Sequence, residues 1–251
     1  MILYSQSVTT YIVRPGDNIY KLVAQFHSSE YAILSANPGI NPYNLLVGQV
    51  ISIPIENGDP PAAQRNTGAT RISTSEMNLR NTLRKLWMEH VGWTRMTIIS
   101  AVYDLPDLNL VSARYLRNAT DMASALRPLY GDATASRFGS LINEHLMIAS
   151  QLVKAAKDGN TAAAQNAERA WYANADKIAG FLNSINPYIS KEDFRKMLYN
   201  HLAMTKAEAV ARLAHDYAND IALYDSIELQ ALMMADVMAS GIVKQFPGTF
   251  A

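Results

Sequence analysis

The chain has no cysteine. Disulfide bonds, thiolate metal sites and cysteine nucleophiles are therefore excluded. It also has no surplus of one charge, since 22 basic residues balance 22 acidic ones. A broad electrostatic footprint for nucleic acid or anionic lipid needs clustered Lys and Arg, so neither partner is expected. No apolar run reads as long enough to span a bilayer, and no membrane association is expected. The opening MILYSQSVTT lacks the basic n-region and apolar h-region of a secretory signal. The expectation is synthesis without a signal peptide, followed by retention in the cytoplasm or entry into an envelope layer by another route. There is no nucleophile elbow, no phosphate-cradling glycine loop, no HExxH and no clear ExxH pairing, so no catalytic residue is nominated.

What is present divides the 251 residues in two. Hydrophobic residues make up 49% and charged residues 18%, ordinary values for folded protein. Residues 56–75, ENGDPPAAQRNTGATRISTS, combine two adjacent prolines, two glycines and small polar residues with almost nothing to bury. They read as a flexible linker between a domain at 1–55 and another at 76–251. The first is near the lower size limit for folding without disulfides or metals.

In residues 11–25, YIVRPGDNIYKLVAQ, an alternating segment ends at Pro15-Gly16-Asp17 and a helical pattern (Ile19, Leu22, Val23) begins at once. Gly16 permits a tight turn, and Asp17 or Asn18 can cap the first helical turn. Ser28-Ser29 separate two short helices, and Val50, Ile51 and Ile53 suit a closing strand ended by Pro54. Tyr11–Ile19, Leu22-Val23-Ala24, Ile33-Leu34, Ala36-Asn37-Pro38 and Leu46–Pro54, taken in that order, resemble a LysM domain over residues 10–55. Asn18 stands where that family more often has Thr or Ser, and it caps a helix about as well.

The resemblance implies a β-α-α-β fold with the two strands antiparallel. It also implies a groove between the loop after the first strand and the loop after the second helix. That groove takes N-acetylglucosamine glycans, either peptidoglycan or chitin. Carried onto this chain, its residues are Gly16, Asp17, Asn18 and Ile19 on one side and Asn37, Pro38, Gly39, Ile40 and Asn41 on the other. Exposed Ile19 and Ile40 are expected to form an apolar wall for the acetyl methyl. The alternative is that Gly16, Asp17, Asn37 and Pro38 only determine the fold.

Beyond the linker the pattern is helical and repetitive. LWMEHVGWT (86–94), LINEHLMIA (141–149) and MLYNHLAMT (197–205) align on His90, His145 and His201, separated by 55 and 56 positions. That spacing is the length of a helical hairpin. Return segments at 113–126 and 169–182 align at a shift of 56. A third, 228–242, aligns with a few extra residues, placing Ala235-Asp236 over Ala175-Asp176. Breaks fall at Leu105-Pro106-Asp107, Tyr130-Gly131-Asp132, Lys157–Asn160, Asn186-Pro187 and Phe246-Pro247-Gly248. The fifth helix is expected to run from Lys191 to about Tyr224. The fold class is thus a small α+β domain followed by an all-α domain, a six-helix bundle built from three hairpin repeats.

All three histidines fall within apolar stripes and point inward. If the hairpins close around one axis, three imidazoles meet and suit zinc or another first-row divalent ion. If they stack linearly, the histidines stay apart. The competing reading is structural, with each buried neutral histidine donating to a carboxylate or carbonyl. Glu89 and Glu144 lie about 100° round the helix and serve neighbouring faces. Trp87, Trp93 and Trp171 read as core or inter-helix filler, and the sequon at Asn118 carries no weight.

The leading expectation is a non-catalytic cell-wall or spore-envelope protein. LysM holds peptidoglycan or a chitin-like glycan, and the helical domain serves structure, a protein partner or self-assembly. The arrangement resembles, in a general way, LysM-plus-helical proteins of spore-forming Gram-positive bacteria. This reading requires no cofactor. The alternatives are a metal-binding helical protein or enzyme using a divalent transition metal at His90, His145 and His201, and a subunit of a phage-tail-like or fibrous assembly.

Overall fold

The computed structural model describes residues 7–14, 17–28, 30–37, 40, 45, 47–55 and 72–251. The chain divides into two compact units, Met1–Thr70 and Arg71–Ala251.

In the first unit, alternating side chains build β1 (Ser7–Ile12), which pairs antiparallel with β2 (Val50–Ile55). The register sets Tyr11 opposite Ile51 and Val8 opposite Pro54. Pro54 therefore does not end the strand, contrary to its expected role. In a two-stranded sheet every strand has a free edge, where a residue without an N–H is tolerated. Helices α1 (Ile19–Phe26) and α2 (Glu30–Ala36) lie between the strands in sequence. Asn18 caps α1, its Oδ1 accepting from the Lys21 amide at 3.0 Å. His27 closes the helix at φ 48°, in the left-handed region. Val13, Ile19, Leu22, Ile33, Ile51 and Ile53 form the core.

The second unit contains α3 (Thr74–Val102), α4 (Leu108–Lys157), α5 (Thr161–Ile185), α6 (Lys191–Leu213), α7 (Tyr217–Gln245) and a 3₁₀ turn at Pro247–Thr249. Helix α3 begins before the expected boundary at residue 76. Ser73 caps it by accepting from the Glu76 amide and also donates to the Phe250 carbonyl at 2.7 Å. The linker expectation for 56–71 falls outside the described residues. Helix α4 breaks at Gly131, with φ 77° and ψ 170°, three residues after Pro128. Only glycine adopts that backbone conformation without strain. The fifth helical segment is shorter than expected. It stops at Leu213, His215 takes φ 61°, and Asp216 caps α7 by accepting from the Asn219 amide.

Each helix packs on the next, and α7 returns to pack on α3, so the helices close into a ring rather than a linear stack. By length and composition α7 is long and apolar enough to cross a membrane, which the sequence reading overlooked. Half of its most apolar window is buried inside this unit, where Ile227, Met234 and Met238 join the core.

Candidate functional site

Asp17 and Asn37 of the expected glycan groove are both occupied in holding the fold. One carboxylate oxygen of Asp17 accepts from the Tyr11 hydroxyl at 2.7 Å and from the Arg14 amide at 2.8 Å, tying the loop to β1. The Asn37 side chain imitates a strand. It donates to the Ser52 and Ile33 carbonyls, both at 2.6 Å, and accepts from the Ser52 amide at 2.8 Å. Ile19 is 1% exposed and belongs to the core, so its side chain does not form an apolar wall. As the first residue of an amphipathic helix it turns onto the sheet. Ile40 is half-buried against the same core. Gly16, Pro38, Gly39 and Asn41 lie outside the described residues.

In the helical unit His90, His145 and His201 come together. They are carried by α3, by α4 beyond its break, and by α6, and none is more than 3% exposed. One ring nitrogen from each lies within 4.8 Å of the other two. The His90 ring centre stands 6.1 Å from that of His145 and 5.5 Å from that of His201. Trp87 packs edge-on against His90, and Trp171 packs against His145.

Each histidine is held by a carboxamide from the following helical segment. Nδ1 of His90 meets Asn118 Oδ1 at 3.2 Å, Nδ1 of His145 meets Asn174 Oδ1 at 3.0 Å, and Nδ1 of His201 meets Gln230 Oε1 at 3.2 Å. The amide nitrogens donate to the carbonyls of Leu86, Leu141 and Met197, each one helical turn before its histidine. A carbonyl can only accept, which fixes the orientation of each amide. Every amide oxygen therefore accepts, every Nδ1 carries the proton, and every Nε2 keeps a lone pair. Burial pushes His90 down to about 4 and His145 to about 3, and it holds His201 well below the ordinary histidine value. Neighbouring imidazoles further oppose charge on His145 and His201.

Sequence reasoning missed the three amides as a set. Asn118, Asn174 and Gln230 are spaced by 56 and 56 positions, so the third return segment needs no extra residues. Matching Ala235-Asp236 to Ala175-Asp176 slipped the register by four residues, about one helical turn, which keeps the buried face and so looked correct. Asp236 instead pairs with Arg84 at the surface. Asn118 is fully buried, which removes the sequon as a glycan acceptor. Glu89 faces Lys85 and Arg114, and Glu144 faces Lys177, away from the histidines as their helical phase requires.

Two further features were not legible. Arg95 bonds Glu208 at 2.6 Å and Asp220 at 2.8 and 2.9 Å, with Arg212 also on Asp220, joining α3, α6 and α7. Burial pushes the Glu208 carboxyl up to about 7, against the opposing pull of Arg95. One helical turn beyond the histidines lies a cavity of about 670 Å³, walled by Thr94, Tyr115, Ala149, Ser150, Trp171 and Thr205. Trp171 belongs to both places, because its indole N–H donates to His145 Nε2 at 3.1 Å. Thr205 Oγ1 is buried without a hydrogen-bond partner among the described residues.

Among the curated proteins and solved structures compared, nothing matches the chain. A family model described as the LysM domain matches residues 11–54, from the end of β1 through both short helices and most of β2. Residues 11–54 of this chain are a LysM domain.

Proposed function

We propose that the protein is a non-catalytic glycan-binding component of a cell wall or spore envelope, in which the LysM domain tethers the helical unit to N-acetylglucosamine glycan of peptidoglycan or chitin type. The observation that carries this reading is the LysM match over residues 11–54, a segment that holds the whole buried core, both short helices and most of β2. Because the Asp17 and Asn37 side chains are engaged within the fold, recognition falls to backbone groups and apolar contacts of the two flanking loops.

The helical unit is a module of three hairpins, six helices in all once α4 is divided at Gly131. Support comes from the recurring His–carboxamide pairs and the closure of α7 on α3. It serves as scaffold or as the docking site for a protein partner.

Sedimentation with insoluble peptidoglycan and with chitin tests the tether. The full chain is expected in the pellet, and a chain beginning at residue 57 in the supernatant. A full-length chain that stays in solution with both polymers removes the tether.

A further inference from the structure

We propose that His90, His145 and His201 are the ligands of one first-row divalent transition ion of the zinc class, bound through their three Nε2 atoms inside the helical unit. This site is independent of glycan binding and would survive its failure.

Convergence is the first argument. Nitrogens at the corners of an equilateral triangle with the 4.8 Å spacing as its side lie about 2.8 Å from the centre, so an ion with bonds of about 2.0–2.1 Å requires each ring to advance only roughly 0.7 Å. Small rotations about the side-chain bonds supply that displacement.

Tautomer is the second. A histidine serving only as a structural donor needs one partner. Here three partners of one chemistry, at one spacing, all take Nδ1–H and leave all three Nε2 atoms with a lone pair, in rings whose nitrogens gather within 4.8 Å. Lone pairs brought together repel, and a cation between them removes the repulsion. The amides occupy the place that a carboxylate or carbonyl takes behind metal-bound histidine, where it fixes ring orientation and raises basicity. Imidazole ligands without thiolate or carboxylate select zinc, copper, nickel or cobalt over magnesium or calcium.

Access is the third. The cavity walled by Thr94, Ala149 and Thr205, each four residues after its histidine, lies one helical turn from the cluster, meets it at Trp171, and carries the Thr205 hydroxyl, which has no hydrogen-bond partner among the described residues. Three neutral ligands leave the ionic charge uncompensated, so the fourth ligand is a water prone to ionise or a small anion entering from that side. One contact opposes binding. The Trp171 indole holds the His145 lone pair and must release it. The same contact provides a readout, because Trp171 fluorescence changes as the ion enters.

The experiment uses the full chain, purified without a polyhistidine tag, freed of metal by chelator and titrated with Co²⁺ and then Zn²⁺. Expected are one equivalent bound, visible absorption bands of low-coordinate cobalt that Zn²⁺ abolishes, altered tryptophan fluorescence and a raised Tm. His201→Ala should weaken uptake by at least about 100-fold. If that variant does not fold, Trp171→Phe decides, since it keeps all three ligands. It should bind one equivalent at least as tightly while losing most of the fluorescence response. Substoichiometric uptake by the folded natural chain overturns the proposal. So does cobalt binding that persists undiminished in folded His201→Ala, which would place the ion at the surface.

Discussion

Lowering the pH from 6 to 5 should destabilise the helical unit by about 2 kcal/mol, and the figure follows from four buried groups. His90, His145 and His201 have folded values far below the ordinary 6.5, two of them at about 4 and about 3. In this window the unfolded chain binds the three protons and the folded chain does not, so stability is present above about pH 6.5 and is lost as pH falls. Glu208 works the other way. Its folded value near 7 exceeds the unfolded 4.5, so acid favours the folded form by nearly one proton over the same window. The partly titrated histidines contribute roughly 2.4 protons and Glu208 returns about 0.8. A net of about 1.6 protons at 1.36 kcal/mol per proton per pH unit gives about 2 kcal/mol. For a unit of this size that lowers Tm by about 4–8 °C. Thermal unfolding followed at 222 nm in chelator at pH 7, 6 and 5 measures it, since the helical unit supplies most of the signal. A Tm that stays level or rises between pH 6 and 5 would refute the neutral, buried assignment of the three imidazoles.

Two substitutions probe the scaffold. Gly131→Ala introduces no steric contact, because nothing lies within 4 Å of the added carbon, so its whole effect comes from the positive φ. It should cost about 1–3 kcal/mol in urea unfolding, and a neutral result would mean that α4 does not break there. Asn37→Ala removes three hydrogen bonds to Ser52 and Ile33 and should cost about 2–3 kcal/mol. In a domain of this size that is enough to collapse the dispersed NMR resonances of the LysM unit while the far-ultraviolet helical signal persists. Retention of those resonances would show that the Asn37 ties are dispensable.

The N-terminal fold was legible because its determinants are local. A cap at Asn18 and alternation in the two strand segments specify β-α-α-β without long-range knowledge. Ile19 was misjudged because position alone does not say which side of a first helical turn meets the sheet. In the helical unit the inward histidines and most breaks could be read from apolar stripes and from Pro, Gly and Asn. The stop at Leu213 was not, since no proline or glycine marks it and a left-handed His215 makes the turn. Gln230 was hidden by its identity. It does the work of Asn118 and Asn174 with one more methylene, and pattern matching that looks for asparagine passes over it.

The sequence by itself determined that three histidines recur at hairpin spacing and face inward, because helical periodicity is a property of the chain and not of its surroundings. Whether they would meet depended on how the helices close. That was decided by packing α7 against α3, a contact between residues more than a hundred positions apart that no local pattern encodes. Packing of each helix on the next sets Asn118, Asn174 and Gln230 onto the three Nδ1 atoms and so decides which nitrogen of each ring carries the proton. Periodicity sets the direction of a side chain, and only the tertiary fold sets what stands at its end.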